Sequence, residues 1–390
     1  MMTTASPRIL VVDDNDDNRY TLTMYLDLEG YQNVATANDG EEAVALLESE
    51  SFDLVLLDVM MPRLDGFGVL AWLKTKGRLH HLPVIMISAQ NEIESVVRCI
   101  ELGAVDYLTK PFNKVLLRAR LGSSLEKKRL RDQIRAHLTR LEQELNAART
   151  LQLGMVPQSF PSADTVFPWD VHASIAPALE VGGDLYDVFR APNGDLCFFI
   201  GDVSGKGMPA ALFMARTKSL IRIITELTAR AAPVDPAAVI TRVNVELCEG
   251  NDSLMFVTLF FGVLSPGGEL SYCNAGHNPP YRVAGAVVTP LVQAAGLVLG
   301  VEAGFAYRSA TTKLASGDGL FLYTDGVTEA FNAADVPYGE GRLEAVLGRA
   351  QPTSRSLIEA VTADVAAFVG ITPASDDVAM LAIYRAAEFA

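Results

Sequence analysis

Carboxylates recur in this chain at the ends of short apolar runs, and they fall into two sets. In the first set, Asp13 and Asp14 follow "RILVV", Asp58 follows "DLVLL", and Ser88 and Lys110 follow two further runs in "MISAQ" and "YLTKPF". Carboxylates gathered at one edge repel one another unless a cation joins them. Hard oxygen donors suit Mg²⁺, which keeps several waters and accepts a phosphate oxygen. Lys110 adds a point charge for a phosphoryl group, and the Ser88 hydroxyl can hydrogen-bond it. In the second set, Asp184 lies in "GGDLYD", Asp202 in "GDVSGKG", Asp325 in "YTDGVTEA", and Asp376 and Asp377 in "SDDVAML". No histidine or cysteine accompanies these acids, so an oxygen-only site for Mg²⁺ or Mn²⁺ is expected rather than a zinc site. Two such ions can hold a bridging water, lower its pKa and clamp phosphate oxygens for in-line attack.

Single members of these sets have plainer readings. One aspartate after a strand is commonly a helix cap, and Gly182-Gly183 can be only a tight turn. "LEVGGDLYDVF" also invites comparison with the Gly-Gly-Asp-Glu-Phe hairpin of diguanylate cyclases, but Leu185 stands where that signature needs a second acid. "GDVSGKG" is no nucleotide phosphate loop, because the spacing fails and Gly207 stands where Ser or Thr is required.

The elements that must position these residues can be read from the pattern. From Arg8 to about Leu121, "RILVV", "NVATA", "DLVLL", "PVIMI" and "VDYLT" read as strands. Helical segments near 16–29, 40–48, 66–74 and 92–102, and from Lys114 onward, separate them. Continuous Val/Ile/Leu runs suit strands covered on both faces. Five such units predict a doubly wound five-stranded parallel sheet, with the site at the carboxyl ends of the strands. From Lys114 to Leu153 there is no proline, and Ile134, Leu138, Leu141, Leu145 and Ala148 recur at spacings of four and three. That is a short coiled-coil seam, with a helix docked on either neighbour or a plain spacer as rivals. Gly154, Pro157 and Pro161 end the helix. Beyond them, "WDVHASI", "DLYDVFR", "DLCFFIGDV", "MFVTLFFGVL", "ELSYCNA", "GLFLYTDGV" and "VAMLAIYR" read as strands. Helices near 209–228, 236–249, 341–349 and 355–368 interrupt them, and the pattern predicts a layered sheet sandwich flanked by helices. The expected domains are 7–122, a helical linker 123–156, and 157–390.

Composition narrows the function classes. The chain has 390 residues, 49% hydrophobic, enough for two or three cores. A formal net charge of −15 argues against a nucleic-acid-binding face. The four cysteines form no CxxC pair, so a reducing cytosol fits. No apolar run is long enough to cross a bilayer, and the N-terminus does not read as a signal peptide. A cytoplasmic protein without nucleic-acid or membrane partners is expected.

The first segment resembles the receiver domain of bacterial response regulators. The resemblance implies that Asp58 is the phosphoacceptor and that Asp14, Asp58 and the Met60 carbonyl bind Mg²⁺, with Asp13 acting through water. It places Ser88 and Tyr107 at the family's switch pair and Lys110 before a proline, Pro111, whose peptide bond is usually cis. A histidine kinase or another phosphodonor is the implied partner. The segment from "MVPQ" to the C-terminus resembles the PPM-family protein phosphatases in their SpoIIE-like branch, through "PALEVGGDLYDVF", "GDVSGKGMPAALFMA", "NAGHNPPY", "YTDGVTEAFN" and "SDDVAML". That implies an α-β-β-α sandwich and two Mn²⁺ or Mg²⁺ held by Asp184, Asp202, the Val203 carbonyl, Asp325 and Asp376, with Asp377 the lesser candidate of its doublet. Eukaryotic relatives carry a histidine just after their counterpart of Asp202. Here Val203-Ser204 stands there, so no general acid is assigned. His277 is expected to structure its loop rather than to donate a proton, and Val298, which replaces a proline often seen in the branch, is given no functional meaning.

Together the two resemblances imply a response regulator whose phosphorylation at Asp58 regulates a phosphoserine/phosphothreonine protein phosphatase. The implied substrate is an anti-sigma-factor antagonist, and the implied assembly is a homodimer that phosphorylation can favour. The rival is a non-catalytic adaptor with a phosphatase-like domain. Such an adaptor would be expected to have lost metal-ligand aspartates, and this chain keeps all four.

Overall fold

The computed structural model describes residues 6–89, 98, 100–160, 168–293 and 296–386, in two units, Met1–Glu142 and Gln143–Ala390. In the first unit the strands β1 (Ile9–Val12), β2 (Val34–Ala37), β3 (Leu54–Asp58), β4 (Val84–Ala89) and β5 (Asp106–Lys110) form one sheet, ordered β2-β1-β3-β4-β5. All pairings are parallel, as the continuous apolar runs predict. Every residue of β1 and β3 is buried, because helices cover both faces. The helices α1 (Asp16–Leu28), α2 (Gly40–Ser49) and α3 (Gly66–Thr75) start on the side-chain caps Asn15, Asp39 and Asp65. Asn15 therefore does the capping next to the first acid pair, and leaves Asp13 and Asp14 to the strand end. Most of the helix expected at 92–102 lies outside the described residues.

Helix α4 (Lys114–Met155) is 42 residues long. Leu117 and Leu121 bury themselves in the core of the first unit, whereas Ile134, Leu138 and Leu141 are exposed.

In the second unit two five-stranded antiparallel sheets face each other. One is ordered β13-β10-β9-β8-β7 and the other β12-β11-β14-β15-β6. The first comprises β7 (Leu185–Arg190), β8 (Leu196–Val203), β9 (Val257–Leu264), β10 (Glu269–Ala275) and β13 (Ala310–Lys313). The second comprises β6 (Trp169–Ala176), β11 (Tyr281–Ala284), β12 (Val287–Pro290), β14 (Asp318–Tyr323) and β15 (Val378–Arg385). Alternation along each strand sends one set of side chains between the sheets. Phe198, Phe260 and Tyr272 from one sheet meet Trp169, Leu322 and Leu381 from the other. The opposite set packs outward: Phe199 and Phe261 under α5 (Met208–Ala229) and α6 (Pro236–Cys248), and Phe321 and Tyr323 under α7 (Glu340–Leu347) and α8 (Ser354–Val369). This is the expected α-β-β-α sandwich. Strands β11, β12 and β13 were not anticipated. Each has four residues, too few for a period to show.

Candidate functional site

In the first unit, the parallel sheet delivers Asp13, Asp14, Asp58, Ser88 and Lys110 to the same edge. Carboxylate oxygens of Asp13, Asp14 and Asp58 lie within 4.8 Å of one another. Asp13 is fully buried, and its Oδ1 accepts from the Asn15 backbone N–H at 3.0 Å and from Asn18 Nδ2 at 3.0 Å. Lys110 Nζ reaches Asp13 Oδ2 at 2.8 Å and Asp58 Oδ2 at 2.9 Å. Burial pushes the Asp58 carboxyl up to about 6, opposed by Lys110 and reinforced by Asp13 and Asp14. Burial alone would lower Lys110, but its bonds to Asp13 and Asp58 outweigh that and hold it protonated. Ser88 Oγ is buried and bonds no described group. Tyr107 lies under the Arg120 guanidinium, 5.3 Å from its ring centre. Met60, beyond the Asp58 strand end, is exposed, and the Lys110–Pro111 peptide is cis.

In the second unit, Asp184 opens β7, Asp202 lies near the end of β8, Asp325 follows β14, and Asp376 and Asp377 precede β15. Antiparallel pairing of β7 with β8 in one sheet, and of β14 with β15 in the other, brings these ends together two by two, and the facing of the sheets sets the pairs beside each other, Thr324 next to Asp184. Asp184 is buried and its carboxyl is held far above the usual range, by burial first and by Asp202 second. Asp202 is raised to about 7 by burial, then by Asp325, Asp376 and Asp377, with the neighbouring Asp184 working against that rise. Asp325 is also raised, chiefly by burial and then by Glu329 and Asp376. These acids therefore sense one another through a common low-dielectric space.

The two members of the Asp376–Asp377 doublet do different work. Asp377 Oδ1 accepts from the Ala178 backbone N–H at 2.8 Å and its Oδ2 from that of Gly183 at 2.7 Å, so this carboxylate ties the "VGGD" loop to the start of β15. Asp376 Oδ2 instead meets Lys206 Nζ at 3.1 Å. Close approach explains two glycines: a Cβ at Gly182 would stand 2.1 Å from Asp377 Oδ2, and one at Gly326 would stand 1.9 Å from the Asp377 carbonyl oxygen. His277 is buried, with Nδ1 2.9 Å from Thr258 Oγ1 and its backbone N–H bonded to Asn274 Oδ1 at 2.8 Å. Burial pushes its ring down to about 4. A ring held neutral in this way bears a single N–H proton, and its bonds to Thr258 and Asn274 fit a structural part in the turn.

Two groups were not anticipated. Thr324 Oγ1, fully buried, donates to Asp184 Oδ2 at 2.7 Å and accepts from the Ala379 N–H at 2.8 Å. Its only signal in the sequence is its place beside Asp325. Gln152, near the end of α4, makes a two-way amide pair with Gly182: Nε2 donates to the Gly182 carbonyl at 2.5 Å, and Oε1 accepts the Gly182 N–H at 3.1 Å. It fixes the backbone two residues before Asp184, and nothing in a helical run of polar residues marks one glutamine out.

The model of the stage II sporulation protein E (SpoIIE) family matches residues 192–386, which are 195 of the chain's 390 residues. The chain belongs to the SpoIIE family. The SpoIIE match takes in Asp202, Asp325 and Asp376, and the response regulator receiver domain model matches residues 9–122. The chain thus joins a receiver domain to a SpoIIE-type PPM phosphatase domain. Protein IcfG of Synechocystis sp. is 28% identical over 268 residues, 62% of this chain and 41% of IcfG. Response regulator PleD of Caulobacter vibrioides is 42% identical over 130 residues, 33% of this chain and 28% of PleD. The chain therefore spans less than half the length of either relative. The SiaA-PP2C domain of Pseudomonas aeruginosa superposes with a TM-score of 0.55 at 23% identity, covering 64% of this chain and 98% of that domain, a likeness of fold. Among the described residues, no helix is long and apolar enough to cross a membrane.

Proposed function

We propose that the chain is a response regulator in which phosphorylation of Asp58 controls a metal-dependent phosphatase acting on phosphoserine or phosphothreonine in a protein. The observation that carries this reading is the mutual perturbation of Asp184, Asp202 and Asp325, with Asp376 beside them adding to the push on Asp202 and Asp325. Buried carboxylates that raise one another toward neutrality are stable in their charged form only with added cations. Their all-oxygen donor set fits Mg²⁺ or Mn²⁺. Asp184, Asp202, the Val203 carbonyl, Asp325 and Asp376 would hold two such ions, which when bound acidify a water and neutralise phosphate oxygens. The residues of the chain supply the frame. Thr324 orients Asp184, Asp377 anchors the loop before it, and Gln152 fixes Gly182.

In the receiver, Asp14, Asp58 and the Met60 carbonyl would hold Mg²⁺, while Asp13 acts through water and Lys110 neutralises the incoming phosphoryl group. Ser88 and Tyr107 would pass the change on. A histidine kinase or another phosphodonor supplies the phosphoryl group. By analogy with the family, the substrate is an anti-sigma-factor antagonist. The exposed seam Ile134, Leu138, Leu141 on α4, with Leu145, suits pairing with a second copy into a homodimer under receiver control. Working bounds for the parts are 7–122, 123–156 and 157–390. The retained aspartates favour this reading over a non-catalytic adaptor.

The test is hydrolysis of a phosphoserine protein with Mn²⁺, with and without acetyl phosphate. Activity that needs Mn²⁺, and that changes with acetyl phosphate in the wild type but not in Asp58→Asn, is expected. Full activity in excess chelator would overturn the metal reading. Equal acyl-phosphate labelling of Asp58→Asn would overturn the phosphoacceptor.

A further inference from the structure

The phosphatase-type site has a charge imbalance that its proposed ions do not remove. Asp184, Asp202, Asp325 and Asp376 carry four negative charges when ionised, and two divalent ions would only neutralise them. A phosphomonoester then arrives with roughly two more negative charges near pH 7. Among the described residues, Lys206 is the basic group found at these carboxylates. It sits in the turn between β8 and α5, in the "SGKG" end of "GDVSGKG". Its Nζ donates to the Ser375 carbonyl at 2.6 Å and to Asp376 Oδ2 at 3.1 Å. Its field also reaches Asp325, where it opposes the upward push of burial.

The loop is built to present this side chain. Gly205 and Gly207, on either side, have φ of +87° and +73°, a backbone region that side chains disfavour. Ser204 anchors the entry. Its N–H donates to the Phe256 carbonyl at 2.9 Å and its Oγ accepts the Phe256 N–H at 2.9 Å. That hydroxyl is therefore engaged away from the acids. Lys206 itself is 51% exposed. A half-exposed ammonium on a flexible stem exchanges partners at little cost, in contrast to the more buried Lys110.

We propose that Lys206 is a substrate-contacting catalytic residue, whose ammonium rests on Asp376 and the Ser375 carbonyl and turns to the non-bridging oxygens of the bound phosphomonoester. This rests on the phosphatase reading above. In the hydrolysis, a bond forms between a water oxygen and phosphorus, and that water gives up one proton to solvent. The bond from phosphorus to the serine or threonine oxygen breaks, and its electron pair stays on that oxygen, which takes a proton from solvent. Lys206 keeps its proton throughout and balances the charge on the transferring group.

The alternative is a strut that only holds the 375–377 loop in place. Lys206→Met and Lys206→Arg separate the two in the full chain at saturating Mn²⁺. Lys206→Met should lose roughly 10- to 100-fold in kcat/KM for both a phosphoserine protein and p-nitrophenyl phosphate, as expected for removing a charge-assisted bond. Lys206→Arg should recover most of it. Calorimetric binding of inorganic phosphate to the Mn²⁺-loaded protein should weaken by a similar factor in Lys206→Met, and the shape of the pH profile should not change. A strut would instead weaken Mn²⁺ binding and leave KM and phosphate affinity at wild-type values once Mn²⁺ saturates, which would overturn the proposal. A wild type without Mn²⁺-dependent hydrolysis would count against the phosphatase reading, and the phosphate titration would still decide the role of Lys206.

Discussion

The two acid pockets solve the same electrostatic problem in different ways. In the receiver, two of the three aspartates share an internal counter-ion, since Lys110 contacts both Asp13 and Asp58 from within the sheet. In the phosphatase domain, a comparable set of aspartates meets its lysine only at the rim, where Lys206 touches Asp376 while Asp184 and Asp202 face each other in the interior. Lys110 thus offsets part of the receiver pocket's charge from inside, while on the proposed reading the interior of the phosphatase pocket would import its balance.

The largest expected effect tests the imported balance. Asp202→Asn should lower phosphatase activity by roughly 100-fold or more at fixed Mn²⁺, because a donor is removed from the centre of the set. Acetyl phosphate labelling of the receiver should be untouched. Near-normal hydrolysis by a folded Asp202→Asn protein would break the comparison.

The next test is pH. Asp184 and Asp202 have folded-state values above their unfolded ones, so without metal the folded domain binds more protons than the unfolded chain between about pH 4 and pH 7. Their contribution to stability is full below the unfolded value and is lost as pH rises through the folded one. Metal-chelated protein should therefore lose thermal stability in its phosphatase transition from pH 5 to pH 7.5, and Mn²⁺ should abolish or reverse that slope. A flat chelated profile would show that the cluster is not strained. The receiver transition should fall less steeply, since Asp58, raised to about 6, has Lys110 beside it.

Smaller effects should follow from the groups that orient Asp184. Thr324→Val removes a donor from a buried carboxylate, and roughly a 10- to 100-fold loss of Mn²⁺ affinity is expected by calorimetry. Gln152→Ala leaves the Gly182 amide and carbonyl unpaired, a cost of about 1–3 kcal/mol, and should weaken Mn²⁺ binding in the same assay. Unchanged affinity in both would mean that the loop holds its shape without them. Leu141→Pro, costing about 3 kcal/mol or more in a helix interior, should leave basal hydrolysis in place and remove its response to acetyl phosphate. A wild-type response would reduce α4 to a tether.

The strand-end acids were legible because parallel and antiparallel sheets alike present their ends, and an aspartate after an apolar run is a strong local signal. The receiver sheet was legible throughout its described strands, since β1 is wholly aliphatic and β3 and β4 begin with continuous apolar runs. The short edge strands β11, β12 and β13 were not, because four residues do not establish a period and their pairing is decided by neighbours far away in the chain. Thr324 and Gln152 escaped for a related reason. Their roles come from partners 140 and 30 positions distant, which no spacing encodes. Likewise, the two backbone amides that bond Asp377 come from Ala178 and Gly183, far away in the chain, and no spacing encodes them.

The contacts of Gly182 and Gly326 with Asp377 set a limit on mutational tolerance. Neither residue has the positive φ that usually marks an irreplaceable glycine, so an inspection of backbone angles would pass over both. What is missing at each is room for a single methyl group. A saturation library screened for metal-dependent hydrolysis should therefore trace the back wall of the site as positions where only hydrogen is accepted on Cα, and even alanine should be lost there.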